Sequence, residues 1–162
     1  MIILKKINIK NKIDYEKFVN EWLSIESHQS IIMNEEHLPF KNFLKLIDTL
    51  EKNKSNPMNY YLVYHSTKII GYLEIRTSNN EFNSKYAGNI GFAVSPIFRN
   101  QGYGLQILKK GVQILKNSKH SPIYLTCDMD QHISKHLFEK INASYLKTEQ
   151  YLQEKKEIYI IK

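Results

Sequence analysis

One stretch constrains this chain more than any other. Residues 94–104 read VSPIFRNQGYG, and a lysine-bearing amphipathic run follows to Asn117. A β-prone run ends at Val94, Ser95-Pro96 stops it, and two glycines open a helix expected over residues 102–117. Glycine tolerates positive φ and lets a ligand approach the backbone closely. The first N–H groups of a helix lack intrahelical partners, and the helix dipole is positive there. Strand, tight loop and glycine-led helix therefore predict a cradle for phosphate oxygens. The bland alternative is a plain turn followed by a solvated lysine face. Proline, arginine, GxG and basic helix in direct succession favour the cradle.

The charge distribution agrees. The chain has 162 residues, with 23 basic against 16 acidic ones and a net charge of +7. Residues 96–121 hold Arg99, Lys109, Lys110, Lys116 and Lys119 and no acidic residue. A nucleic-acid-binding protein more often spreads its charge along a face with interleaved aromatics. One compact basic element suits a compact polyanion. Arg76 and Arg99 are the only arginines.

The remaining elements follow from periodicity. Residues 2–9 read as a strand, and Asp14 as the cap of a helix with Tyr15, Phe18, Trp22 and Ile25 at helical spacing. Pro39 suits the first turn of a second helix bearing Phe40, Phe43, Leu44, Ile47 and Leu50. Residues 60–65 and 68–76 form a hairpin around Ser66-Thr67. A polar connection spans 77–87, and a strand covers 89–94. Pro122 opens a strand over 123–127, Asp130 caps a helix to about Ile141, and strands at 143–149 and 157–161 close the chain. The order β-α-α-β-β-β-α-β-α-β-β predicts an α+β fold: a central mixed, mostly antiparallel twisted sheet flanked by helices. The length and the absence of repeats or linkers predict one domain over 1–162. A chain of this size buries about 70% of its unfolded surface, so it needs no metal or disulfide to fold. The single Cys127 forbids an intrachain disulfide and reads as a buried strand residue. No apolar run approaches the ~18 residues of a membrane span, and the N-terminus has no signal-peptide pattern, so a cytoplasmic setting is expected. His132 and His136 have an i,i+4 metal-ligand spacing but no third ligand in view, so no metal is expected.

RNQGYG at 99–104 resembles the acetyl-CoA motif of the GNAT superfamily of N-acetyltransferases, Arg/Gln-x-x-Gly-x-Gly/Ala. The order of elements is similar over nearly the whole chain. Residues 127–140, CDMDQHISKHLFEK, resemble the strand and helix of the family's second half. Residues 75–94, IRTSNNEFNSKYAGNIGFAV, resemble a bacterial subgroup reading roughly LRHxLNExLxxYGGHIGYxV. The resemblance implies acetyl transfer from acetyl-CoA to an amine by direct attack in a ternary complex. The backbone of Phe92, Ala93 and Val94 would pair with the pantetheine amides. Arg99, Asn100, Gln101, Gly102, Tyr103 and Gly104 would hold the pyrophosphate, and Gln131 and Ser134 would contact the cofactor arm. It also implies a partner amine, small molecule or protein, and a fold in which homodimers are common.

The catalytic groups depart from the family pattern. Residues 87–95 contain no ionisable side chain. Asn89 stands at the subgroup's His and would orient a water. Glu74 and Glu81 are the nearest acids; strand alternation puts Glu74, Arg76, Asn89 and Gly91 on one face. Glu74 is thus either a base acting through water or a partner of Arg76. Phe138 occupies the place of a tyrosine acid, with Tyr145 or Tyr124 as substitutes. Glu21, Glu26, Glu35 and Glu36 are candidates to meet a cationic acceptor. Two other classes compete: a non-catalytic acyl-CoA-binding module of the same fold, suggested by Asn89 and Phe138, and a basic nucleic-acid-associated protein, disfavoured by the confined charge.

Overall fold

A computed structural model describes residues 1–26, 38–151 and 153–162. Its elements are β1 (Ile2–Lys6), α1 (Lys12–Leu23), α2 (Phe40–Glu51), β2 (Met58–His65), β3 (Lys68–Arg76), β4 (Ile90–Val94), α3 (Tyr103–Asn117), β5 (Ile123–Asp128), α4 (His132–Lys140), β6 (Ser144–Tyr151) and β7 (Glu154–Ile161). The order is the expected one. Asp14 is a correction: it lies in the first turn of α1, because Asn8 caps a short 3-10 turn that leads into the helix. Pro39 likewise sits at the N-cap of α2, and Gln131 replaces Asp130 at the N-cap of α4.

The strands form two antiparallel sheets, β1-β2-β3-β4 and β5-β7-β6. Alternation gives the first sheet two apolar faces. Tyr60, Leu62 and Tyr64 of β2 and Tyr72 of β3 pack against Tyr15, Phe18 and Trp22 of α1 and Phe40, Phe43 and Ile47 of α2. Val63, Leu73, Ile75 and Ile90 pack on the opposite face with Ile107, Leu108 and Leu115 of α3 and with Leu125, Tyr159 and Ile161 of the second sheet. Gly111 of α3 lets the helix seat closely, since a Cβ there would lie 3.1 Å from Ile90.

Hydrogen bonds between Asn89 and Tyr124 join the two sheets. Asn89 N–H donates to Tyr124 O at 2.7 Å, and Tyr124 N–H donates to Asn89 Oδ1 at 2.6 Å. Beyond that point β4 and β5 separate. The connection before β4 is ordered: a π-helical turn spans Asn83–Ala87, and buried Asn83 donates to Asn56 Oδ1 and Ser78 O.

Candidate active site

The divergence of β4 from β5 opens a cleft of about 600 Å³. Phe92 and Val94 line one wall and Thr126 the other. Asn100, Gly102, Tyr103 and Gly104 close one end, and Gln131, Ser134, Leu137 and Phe138 of α4 cover it. The ladder phase explains why β4 offers its backbone here. Arg76 N–H donates to Asn89 O at 2.8 Å. Antiparallel alternation then turns Gly91 and Ala93 toward β3 and leaves the backbone of Phe92 at the open edge. Ala93 is accordingly a correction: its side chain packs on the α1/α2 face, and it does not line the cleft.

The cradle has the expected local form. Gly102 caps α3 with φ of 78°, and Asn100 also has positive φ, 60°. A Cβ at Gly102 would meet nothing within 4 Å, so the N-terminus of α3 is open to a ligand. A pyrophosphate fits this end by charge and by space. Lys109, Lys110, Lys116 and Lys119 make no ion pair among the described residues, which leaves their field intact.

Two cradle residues use their side chains elsewhere. Arg99 lines the cleft, donates from Nε to Val94 O at 3.1 Å, and forks onto both carboxylate oxygens of Glu26, with Nη2 to Oε2 at 2.9 Å. Its guanidinium also stands 5.8 Å from the Trp22 ring centroid. Arg99 thus ties the loop to the end of α1 and holds the Glu26 carboxyl below its usual range. Glu26 is therefore paired and does not stand ready for an amine. Gln101 is exposed and donates one Nε2–H to Ile97 O.

Asn89 is the clearest correction. It is wholly buried. Its Nδ2 donates to Arg76 O, Ser78 O and Asn79 Oδ1, while Oδ1 accepts from Tyr124 N–H. Its donors and Oδ1 are thus engaged in joining the two sheets at a buried position, which gives Asn89 a structural role.

Glu74 is 2% exposed and takes a hydrogen bond from Arg76 Nη2 at Oε2. Burial raises its pKa, and the Arg76 charge and hydrogen bond oppose that rise. Among the described residues Glu74 Oε1 and Arg76 Nη1 are buried without a partner. Glu81 is solvated and pairs with Lys85 at 3.0 Å. Glu21 is exposed and lies 4.0 Å from Lys17. Glu35 and Glu36 lie outside the described residues.

Phe138 is buried against Tyr159, with centroids 5.2 Å apart. Tyr145 is exposed and bonds Thr148, and neither it nor Tyr124 lines the cleft. Among the described residues Tyr103 is the only tyrosine on the cleft wall. Burial pushes the Cys127 thiol up to about 11, which removes it as a nucleophile. Sequence reasoning missed Thr126, Leu137 and the Glu26–Arg99 fork. Thr126 and Leu137 look like ordinary strand and helix positions, and 73 residues separate Glu26 from Arg99.

A sheet split open beside a glycine-capped basic helix gives a cleft suited to a ligand with an anionic end. A family model described as the acetyltransferase (GNAT) family matches residues 19–143, and the chain belongs to that family, whose members are N-acetyltransferases. No curated protein matches it in sequence. Solved structures match across 99% of this chain. RimL, a ribosomal L7/L12 alpha-N-protein acetyltransferase in complex with coenzyme A, is 13% identical over 93% of its own length, with a TM-score of 0.73. A chimera of the spermidine N-acetyltransferase SpeG from Vibrio cholerae is 12% identical over 94% of its length, with a TM-score of 0.69. The microcin C7 self-immunity acetyltransferase MccE, in complex with acetyl-CoA and AMP, is 15% identical over 91% of its length, with a TM-score of 0.68. At these identities the likeness is one of fold. Among the described residues no helix is long and apolar enough to cross a membrane, and no group of three candidate metal ligands occurs.

Proposed function

We propose that this chain transfers an acetyl group from acetyl-CoA to a primary amine by direct attack in a ternary complex. The observation that carries the reading is the cleft between β4 and β5, which ends at the open, glycine-capped N-terminus of α3. The backbone N–H groups of residues 100–104 hold the pyrophosphate, and the lysines of α3 add a screened positive field. The edge backbone of Phe92 and Val94 meets the pantetheine amides. Gln131 and Ser134 contact the cofactor arm from α4. Acetyl-CoA supplies the activated thioester.

The chain must then deliver a neutral amine. The nitrogen attacks the thioester carbonyl carbon, the C–N bond forms, the C–S bond breaks, and sulfur leaves as a thiolate. The amine's proton passes through a water to Glu74, whose Oε1 no protein group occupies among the described residues. A thiol of pKa about 8.5 leaves as thiolate near neutral pH without a tyrosine acid.

A second reading is a non-catalytic acyl-CoA-binding module of the same fold, favoured by the tyrosine-free end of the cleft near Phe138. A thermal-shift titration with acetyl-CoA tests the shared part, since a ligand of the folded state raises Tm by mass action. No shift at millimolar acetyl-CoA overturns both readings. A screen of amines for release of CoA thiol then separates them: any turnover selects transfer. Retention on immobilised CoA, eluted by CoA and not by DNA, removes the nucleic-acid alternative.

A further inference from the structure

The Glu74–Arg76 pair is more than a candidate base and its neutraliser. Tyr60, Glu74 and Gly91 are register mates across β2, β3 and β4, so they form one row across the sheet and share a face. Arg76 follows Glu74 by two positions and joins that face. It is the face of Tyr72, which packs toward α1 and α2, whereas Leu73 and Ile75 pack toward α3. The pair therefore sits on the other side of the sheet from α3.

Gly91 connects the two sides. It lines the cofactor cleft. The pair lies directly against its Cα, for a Cβ there would lie 2.7 Å from Glu74 Oε2 and 3.2 Å from Arg76 Nη1. β4 is the edge strand of its sheet, so an amine placed against the pair has only this edge between it and the cleft.

The pair is also half used. Only Arg76 Nη2 and Glu74 Oε2 meet. Glu74 Oε1 and Arg76 Nη1 are buried and without a partner among the described residues. Buried polar atoms are nearly always bonded, so an exception calls for an explanation. A buried ion pair is not explained by stability, since apolar residues of similar size often serve as well or better. What remains is one anionic acceptor beside one cationic donor. A ligand complementary to both carries an N–H group and an oxygen acceptor a few bonds apart.

We infer that the acceptor is an α-aminoacyl group, its amine facing Glu74 Oε1 through the relay water and its carbonyl or carboxylate oxygen held by Arg76 Nη1. This deepens the proposed function and rests on it. Free amino acids, amino-acid amides and peptide N-termini share this chemistry. An α-amine has a pKa of about 8, against about 10.4 for a lysine-like amine. A usable fraction is neutral near pH 7.5, which suits a strand with no ionisable side chain of its own. Arg76 is then a specificity-determining residue, and the balance of the reaction is the one given above.

The test compares L-alaninamide, whose amine neighbours a carbonyl, with N-acetylcadaverine, whose amine is remote from one. Wild type is expected to acetylate L-alaninamide with the higher kcat/KM. Arg76→Lys keeps the charge and loses the fork. It is expected to lower kcat/KM for L-alaninamide by about 10–100-fold, chiefly through KM, as for loss of a charged hydrogen bond. Turnover of N-acetylcadaverine should fall less than that of L-alaninamide, and the acetyl-CoA thermal shift should not change. L-alanine and a tri-alanine amide, run alongside, distinguish a free amino acid from a peptide N-terminus. A measurement on wild type alone guards against a misfolded variant. N,N-dimethyl-L-alaninamide should compete with L-alaninamide at least about tenfold better than N,N-dimethylpropylamine, on the same ground. Preference of wild type for N-acetylcadaverine, equal loss on both amines in Arg76→Lys, or equal competition by the two tertiary amines overturns the inference and leaves acetyl transfer standing. No thiol release with any amine overturns both.

Discussion

Gly91 on β4 stands directly opposite Glu74 on β3, and a Cβ on Gly91 would lie 2.7 Å from Glu74 Oε2. That is inside any real contact, so even alanine must push the carboxylate and its Arg76 partner aside. Gly91→Ala is expected to keep its acetyl-CoA thermal shift, because the added methyl points away from α3. Its kcat should fall by about 100-fold, the usual result of displacing a reacting group by an ångström. Loss of the thermal shift with kcat unchanged would place the pair outside the chemistry.

Glu74→Gln keeps shape and one hydrogen-bond acceptor and removes the charge. If Glu74 takes the proton through water, steady-state kcat falls by roughly 10²–10⁴-fold with acetyl-CoA affinity unchanged. An unchanged rate per folded molecule assigns Glu74 to pairing with Arg76 alone.

The cradle glycines differ in what they test. Gly102 has positive φ and open space around it. Gly102→Val therefore strains the backbone by about 1–2 kcal/mol and places a branched side chain at the helix N-terminus. Acetyl-CoA binding should be lost, with Tm lowered by only about 2–8 °C. At Gly104 a Cβ would meet Leu137 Cδ1 at 3.3 Å, so Gly104→Val also disturbs the packing of α3 on α4. Gly102→Val is the cleaner probe, and normal isothermal-calorimetry binding by it would place the pyrophosphate elsewhere.

Asn89→Ala tests the seam between the sheets. It strips the acceptor of Tyr124 N–H and the donor of Arg76 O and Ser78 O at a buried position. A cost of about 3 kcal/mol is expected from the groups left unsatisfied, hence a Tm about 6–12 °C lower by calorimetry. Acetyl-CoA affinity should fall with it, since the seam sets where β4 and β5 part. Unaltered stability with a lower kcat would return Asn89 to a catalytic role.

Cys127 gives a pH test. Its thiol is pushed up to about 11 by burial, above its unfolded value near 9. A group whose folded pKa is raised lends stability that is present below the unfolded pKa and lost as pH rises. Its contribution should therefore disappear between about pH 9 and pH 11. In the native protein at pH 8, iodoacetamide should modify it far more slowly than in urea, as mass spectrometry would show.

Much of the architecture was legible in order. The β3 boundaries, Lys68 to Arg76, follow directly from a β-prone run between turn residues. The GxG helix was legible because its signals are contiguous: a proline stop, a positive-φ glycine and an amphipathic repeat all act within a few residues. The caps of α1, α2 and α4 each fell a residue or more from expectation. Asp14 and Asp130 are acceptable cap residues and Pro39 an acceptable first-turn residue, but Asn8 reaches the backbone of the turn before α1 first. The sequence order alone suggests one central sheet. The parting into two depends on Asn89 Oδ1 taking Tyr124 N–H from 35 residues away.

Element order, the glycine-capped basic helix and the family all follow from the sequence, because these rest on short-range backbone preferences and contiguous motifs. Tertiary structure alone decided what the polar side chains do. Asn89 became a seam because folding brought Tyr124 beside it, and Arg99 turned from the cradle because Glu26 arrived from the end of α1. Glu74 and Arg76 sit two residues apart in sequence, yet their burial, their unshared atoms and their place behind Gly91 come from packing. A polar side chain takes its role from whichever partner and solvent it finds at close range, and long-range folding sets both.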